Sequence, residues 1–595
     1  MNIGRLWRTV RHLTPEQRRY RLIYSGRRVL MRLAPGIARR RIEALAATLP
    51  LPDPSRPAVT GAAQHVLLLQ RAAHPEYLDD IARGKFTLLN RTFDFGAPDK
   101  VRWRGEFHEG NNPLRRMTLA YMGYAAPLLA RGRADDLNTV AALVASLDAQ
   151  NPWSAPGVLR DVWNPYTTSH RLINLIAGLA LYRATGAIPP AQAERALLQH
   201  ARLCAAVVRE NLERDLQYNH LMKNHVALAL YAAACPAVPP ALSLIEHGVP
   251  ATIAQNILPD GGHAERSPMY HALALVDVRV LRATALYPAW QDLLSDTETR
   301  MRRALSVMAH PDGDIALFND AWLGEAPPAA ELDALRADGP TARLPDTGYV
   351  RLSAARDAVI FDCGPIGPDD NPAHAHADFL SIEASAHGRR LIVDPGVQTY
   401  TAGELRDIAR AAISHNGPQL DGIEPIEFWK SFRVGRRGKG HEIRDERLAG
   451  LAPLWCAGRH TGYAHLGVEV RRYVGLWPGF ALLVADLWRG PVRAPEASHF
   501  LIPGTWLPRR DGAPGFTLDD TSVTVECLYG TPTPVEAARI WPRFGVEQPA
   551  HRIAVRAVPA PDGTRRAALF FRWNDDAASP SLAALRDQFD KLAAA

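Results

Sequence analysis

Near residue 347 the spacing of apolar residues changes, and that change limits the fold more than any other feature of the chain. From about residue 110 to 340 they recur at helical spacing, as in "RADDLNTVAALVASLDAQ", "SHRLINLIAGLALYRATG" and "NHLMKNHVALALYAAAC". Short Gly, Pro and Asn breaks separate these runs, as antiparallel helix pairs require. Several are apolar over a wide face, so each helix is expected to pack on two sides. After Thr347 the period falls to two, in "GYVRLSAARDAVIFDCG" and "VEVRRYVGLWPGFALLVADLW", with turn residues between. That is the pattern of an antiparallel β-sandwich. The expected architecture is multidomain α+β: a basic helical arm and lead-in over 1–105, a helical domain over 106–340 and a β domain over 341–595. A cleft between two such layers is a common place for a ligand.

At 595 residues the chain is too long for one ordinary core, which agrees with this division. Five scattered cysteines without a C-x-x-C give neither a disulfide framework nor a thiolate metal site. The net charge of +7 is local. Residues 1–41 hold twelve arginines and one acid, Glu16, while the remainder holds 57 basic against 61 acidic residues. The arm mixes Trp7, Leu13, Leu22, Val29 and Leu33 with its arginines and reads as short basic amphipathic helices. Two readings stay open: peripheral contact with a membrane or a partner, and a helical arm packed on its own protein. Nucleic acid is not expected, because no nucleic-acid module accompanies the arm. No signal peptide or transmembrane run is recognisable, so the sequence alone suggests a cytoplasmic protein.

Four polar constellations interrupt the patterning. In "DVWNPYTTSHRLINLI", Trp163, Asn164, Tyr166 and Arg171 lead into an apolar helix. Aromatic faces and a guanidinium suit a sugar ring and its carboxylate, and a loop with a helix cap would use the same residues. In "QYNHLMKNHVALAL", Asn219 can be a helix N-cap or a working side chain, and His220 a buried or a working histidine; His225 reads as structural. In "PDGGHAERSPMYHALAL", Ser267 then Pro268 predicts an N-cap followed by Pro at the first helical position. Tyr270 then lies in the first turn, where the macrodipole would favour a phenolate, although packing also puts tyrosines there.

The fourth is "NPAHAHADFLSIEASAHGRRLIVDPGVQTY", residues 371–400. Read as a strand, it sends His374 and His376 to one face. Asp394 follows, Tyr400 closes the stretch as a candidate substrate contact, and His415 comes later in "AISHNG". Two histidines and one aspartate are suitable Zn²⁺ ligands, and three protein ligands can leave a position open.

In this order, "NHL", "DGGHAERSPMYH", "HAHADFLSIE", "VDPG" and "SHN" resemble the heparinase II/III-like polysaccharide lyases, from about Trp163 to the end of the β domain. The resemblance implies an α/α toroid, an incomplete helical barrel, followed by an antiparallel β-sandwich. It implies a carbon–oxygen lyase that cleaves a uronic-acid polysaccharide, an exopolysaccharide or a glycosaminoglycan, by β-elimination. It gives Asn219 and His220 the role of neutralising the uronate carboxylate, Tyr270 that of the catalytic tyrosine and His374 that of the base or its partner. It assigns His376, Asp394 and His415 to a structural Zn²⁺, with no organic cofactor. Relatives of this kind are often periplasmic or secreted. Two further readings are a metal-dependent glycan hydrolase and a non-catalytic polysaccharide-binding or assembly protein.

Overall fold

The computed structural model describes residues 3–593, apart from 75–76, 106, 108–112, 154, 336, 338, 446, 448–449 and 575–579. The helical half is an incomplete α/α toroid, and its inner members are apolar nearly all round. In the Tyr218–Ala233 helix every residue from Met222 to Ala233 is buried, and in the Pro165–Ala184 helix every residue from Leu172 to Tyr182. A helix apolar on all sides has to lie inside its layer. These two pack on each other, and the Pro268–Thr284 helix packs on the first. The Pro57–Ala73 helix packs against both the Pro165–Ala184 and Pro268–Thr284 helices. Helical packing therefore starts well before residue 106, and what reads as a lead-in contributes Val59, Ala62 and Ala63 to the common core.

The β half begins at Thr341 with a five-stranded antiparallel sheet of Thr341–Leu344, Tyr349–Ala354, Asp357–Asp362, Ile382–Ala386 and Arg389–Ile392, adjacent in that order. Its register pairs Val350 with Phe361 and Phe361 with Ile382. A larger sheet is built around Glu469–Trp477, Ala481–Arg489 and Arg565–Arg572, and a third around Glu496–Pro503 and Val546–Arg556. Strands from all three share one core that includes Val359, Leu482, Phe500 and Phe571.

The arginine-rich arm forms helices Ile3–Val10, Pro15–Leu33 and Pro35–Thr48. Thr14 and Gln17 make a capping box at the start of the second. One face of the arm lies on its own protein and reaches both halves. Arg5 and Arg8 pair with Glu427 of the β half at 3.1 and 2.7 Å, and Gln17 Nε2 donates to Asp370 Oδ2 at 2.9 Å. Tyr24 O–H donates to the Leu212 carbonyl and Arg41 pairs with Glu210 at 2.7 Å, both in the helical half. Among the described residues no helix is long and apolar enough to cross a membrane.

Candidate active site

On the helical side, the candidate residues sit in the first turns of three helices. Asn164 is the N-cap of Pro165–Ala184, with Oδ1 accepting from the Tyr166 N–H at 3.0 Å and Pro165 at the first helical position. Tyr166 follows in that first turn. Asn219 and His220 occupy the first turn of Tyr218–Ala233, entered through a left-handed Gln217 (φ 63°) rather than by an Asn219 cap. Ser267 caps Pro268–Thr284 as its sequence predicts, accepting from the Tyr270 N–H at 3.3 Å.

His220 is held from behind. Its Nδ1 lies 3.0 Å from Glu213 Oε1, while Glu213 Oε2 accepts from Asn224 Nδ2 at 3.0 Å. Asn224 Oδ1 in turn accepts the Glu213 N–H at 2.8 Å. This bracing leaves Nε2 for a ligand and sets the Tyr166 ring 4.5 Å away. Burial disfavours the imidazolium most, but Glu213, joined by Glu265 and Asp215, outweighs it and raises the His220 pKa above its ordinary value. Asn219 Oδ1 is buried without a hydrogen-bond partner.

Across the cleft, residues 371–381 are turns and bends, and the strand starts only at Ile382. The expected same-face strand geometry for His374 and His376 is thus absent. They are brought together by Asp320 instead, which faces them with both oxygens: His374 Nδ1 lies 3.0 Å from Oδ2 and His376 Nε2 lies 2.9 Å from Oδ1. Arg406 closes the other side of the carboxylate at 2.5 and 2.8 Å. Burial pushes the Asp320 carboxyl up, yet Arg406 and the two imidazoles hold it well below the usual carboxylate range. The Asp320 carbonyl accepts from Ser267 Oγ at 2.7 Å, so one residue ties the Tyr270 helix cap to the histidine loop. Its neighbour Asn319 accepts the His376 N–H at 3.0 Å. Sequence reasoning missed Asn319, Asp320 and Arg406. The only local signal was an amide and an acid between the aromatics Phe318 and Trp322, a pattern that reads as a turn.

The Tyr270 ring lies 4.1 Å from that of His374, and its hydroxyl is 3.5 Å from the Tyr400 hydroxyl. Arg406 stacks on the other partner, 4.8 Å from the Tyr400 ring. Burial, reinforced by Tyr400, drives the Tyr270 pKa well above the ordinary phenol value. The helix start does not make a phenolate here, contrary to the expectation from the macrodipole, because desolvation is the larger effect. A cavity of about 270 Å³ runs between the halves, lined in part by Tyr121, Tyr166, His170, Tyr270, Glu325 and Tyr400. His220 and His374 lie beside it, in ring contact with Tyr166 and Tyr270.

Two expected substrate contacts are not at the cleft. Trp163 is 1% exposed and its indole N–H donates to the Asn151 carbonyl at 2.8 Å. Arg171 is wholly buried 4.6 Å from that ring and donates to the carbonyls of Ala120 and Val162. An aromatic beside an arginine suits a buried cation–π pair as well as a sugar site, and here it is the former. Asn164 is spent on its cap.

The proposed ligand set is a buried cluster in which His415 Nδ1 lies 2.8 Å from Asp394 Oδ2 and the His376 and His415 rings are 5.3 Å apart. Each of the three keeps one buried atom without a hydrogen-bond partner: His376 Nδ1, Asp394 Oδ1 and His415 Nε2. The donor types suit Zn²⁺. Among the described residues, however, no group of three or more such side chains is gathered as a ready-made metal site.

Comparison with known proteins bears on the fold that carries this cleft. Residues 336–559 match the family model described as heparinase II/III-like, C-terminal. No curated protein matches the chain. Among solved structures, heparinase III is similar at 14% identity, with 86% of each chain covered and a TM-score of 0.66. A mutant of the heparan sulfate lyase HepC from Pedobacter heparinus is 16% identical, covering 85% of this chain and 84% of its own, with a TM-score of 0.56. The BT4657 gene product, also a heparinase III, gives 15%, 85% of each chain and 0.58. At these identities the likeness is one of fold, and it extends over both halves. The β half thus carries a heparinase II/III-like C-terminal domain, and both halves together share the fold of these structures.

Proposed function

We propose that the protein is a polysaccharide lyase that cleaves a uronic-acid-containing polysaccharide by β-elimination. The observation that carries this reading is the contact of the Tyr270 ring with His374 at the cleft between the toroid and the β half, where burial raises the Tyr270 pKa. The structures of similar fold, which are heparinases and heparan sulfate lyases, support it.

The chemistry accounts for the residue types. Elimination removes the C5 proton of a uronate, forms a C4=C5 double bond and breaks the bond from C4 to the glycosidic oxygen, which must gain a proton. Removing the C5 proton builds charge onto an existing carboxylate, so neutral or cationic donors against that carboxylate lower the barrier. Asn219 and a protonated His220 are the proposed donors. His374 has Nδ1 committed to Asp320, which leaves Nε2 as proton acceptor in the role of the base. Tyr270, held in its neutral form, gives its proton to the departing oxygen. Tyr400 orients that hydroxyl, and Tyr166 offers a ring to the sugar.

The proposal extends to a structural Zn²⁺ held by His376, Asp394 and His415, supported by the one unpartnered buried atom on each. A bound ion would supply a fixed positive charge joining the histidine loop to the sandwich, and no step of the elimination passes through it. Metal analysis of the purified protein is expected to find about one zinc per chain, with a chelator lowering the melting temperature. Absence of metal together with an unmoved melting curve overturns this part. A glycosaminoglycan and a bacterial exopolysaccharide both satisfy the chemistry of the substrate.

The test is ultraviolet absorbance of the conjugated unsaturated uronate, with wild type and Tyr270→Phe run against heparan sulfate, hyaluronate, chondroitin, alginate and a uronate-containing exopolysaccharide. Absorbance that rises with wild type alone establishes elimination. Chain shortening without absorbance would replace it with hydrolysis, and binding without turnover by a non-catalytic role.

A further inference from the structure

We propose that the outward face of the N-terminal arm docks on an anionic lipid bilayer. The inward face of the arm is spent on Glu427, Asp370, Leu212 and Glu210, which pin it to both halves of the protein. The other face of the Pro15–Leu33 helix is uncovered. Leu22, Val29 and Leu33 are 76%, 53% and 80% exposed, and their spacings of seven and four residues put them in one line along the helix. Exposed arginines flank that line at positions 18, 19, 28 and 32. Among the described residues, Arg18 and Arg28 bond only within the arm, to the Arg11 carbonyl and Ser25 Oγ, and neither Arg19 nor Arg32 pairs with an acid. The adjoining arm helices add exposed Ile3, Trp7 and Ile37.

Large aliphatic side chains standing in water beside unneutralised guanidinium groups call for a partner that takes both. A polyanionic polysaccharide would satisfy the arginines and leave Leu22, Val29 and Leu33 in water. A bilayer interface accepts the aliphatic line at the acyl boundary and the guanidinium groups among lipid phosphates. The charge is suitably placed, since the cationic excess of the chain is confined to this arm and the remainder is net acidic. Docking needs no unfolding, because the face that would meet lipid is not the one that holds the arm down.

The experiment is co-sedimentation of the full chain with phosphatidylcholine vesicles, with and without phosphatidylglycerol. Binding is expected only to the anionic vesicles, weakening as salt rises. Replacing Leu22, Val29 and Leu33 together by Ser should weaken it at least tenfold, and each of Arg18, Arg19, Arg28 and Arg32 replaced by Gln by about fivefold. Because all seven side chains are exposed, unchanged melting curves are expected for these variants. Failure to bind anionic vesicles, or equal binding to both kinds, overturns the proposal. So does full binding by the triple Ser variant, which would make the arm a polyanion contact with no use for its apolar line. None of these outcomes depends on whether the protein is a lyase.

Discussion

The two walls of the cleft are built in opposite ways. On the helical wall each candidate residue is fixed at or just before its own helix start: Tyr166 follows a cap, Tyr270 follows Ser267 and Pro268, and His220 is braced by Glu213 in the turn that leads into its helix. On the β wall, His374 and His376 lie in an irregular loop and owe their placement to Asp320, more than fifty residues away, and to Arg406 behind it. A wall made of regular elements keeps its geometry when one side chain changes. A wall made of a loop depends on whatever pins the loop.

This contrast can be broken at its strongest point first. Asp320→Ala removes the carboxylate shared by two buried imidazoles and a buried guanidinium, leaving Arg406 without its counter-ion. We expect a loss of about 3–5 kcal/mol in unfolding free energy and no residual turnover, read by thermal melting and the ultraviolet assay. A stable, active variant would show that the loop is held by something else. Tyr270→Phe is the opposite case. It should cost about a thousandfold in kcat, roughly 4 kcal/mol of barrier, with an unchanged melting curve, because the hydroxyl gives up only one 3.5 Å contact.

Glu213→Gln sharpens the comparison within the helical wall. Glu213 raises the His220 pKa above the ordinary 6.5, so the stability contributed by the charged pair is fully present below that ordinary value and fades as pH rises through the raised one. In the variant Glu265 and Asp215 still raise the pKa, but the main counterweight to burial is gone and the pKa falls. The alkaline fall of kcat/KM should therefore move to lower pH, with about a tenfold loss at neutral pH. An unmoved profile would remove His220 from carboxylate binding. The smallest effect is expected from Asn164→Ala, about 1 kcal/mol of stability through the lost cap, with Tyr166 still in place and kcat nearly unchanged.

How far the sequence speaks for the structure follows the same division. The helical and β halves were legible because period is a local property repeated many times, and the Ser267–Pro268 start because capping is decided within one turn. The pairing of His374 with His376 was legible, but as a strand, and the loop that carries them follows from Asn319 and Asp320, whose importance no local pattern records. Trp163 and Arg171 misled because an aromatic beside an arginine is equally the composition of a buried stack. The first-turn position of Tyr270 was legible, while its raised pKa depends on enclosure by Tyr400 and the far wall, which only the assembled cleft provides.

One consequence follows from the three helix starts that bear Tyr166, Asn219, His220 and Tyr270. Each carries at its start a fraction of an elementary charge, about one half per helix, which the caps at Asn164 and Ser267 satisfy only in part. Such charge belongs to the backbone: it does not titrate and no side-chain substitution erases it. A cleft so furnished keeps part of its pull on an anion under conditions that would silence a cluster of lysines, and leaves its few ionisable side chains free for moving protons.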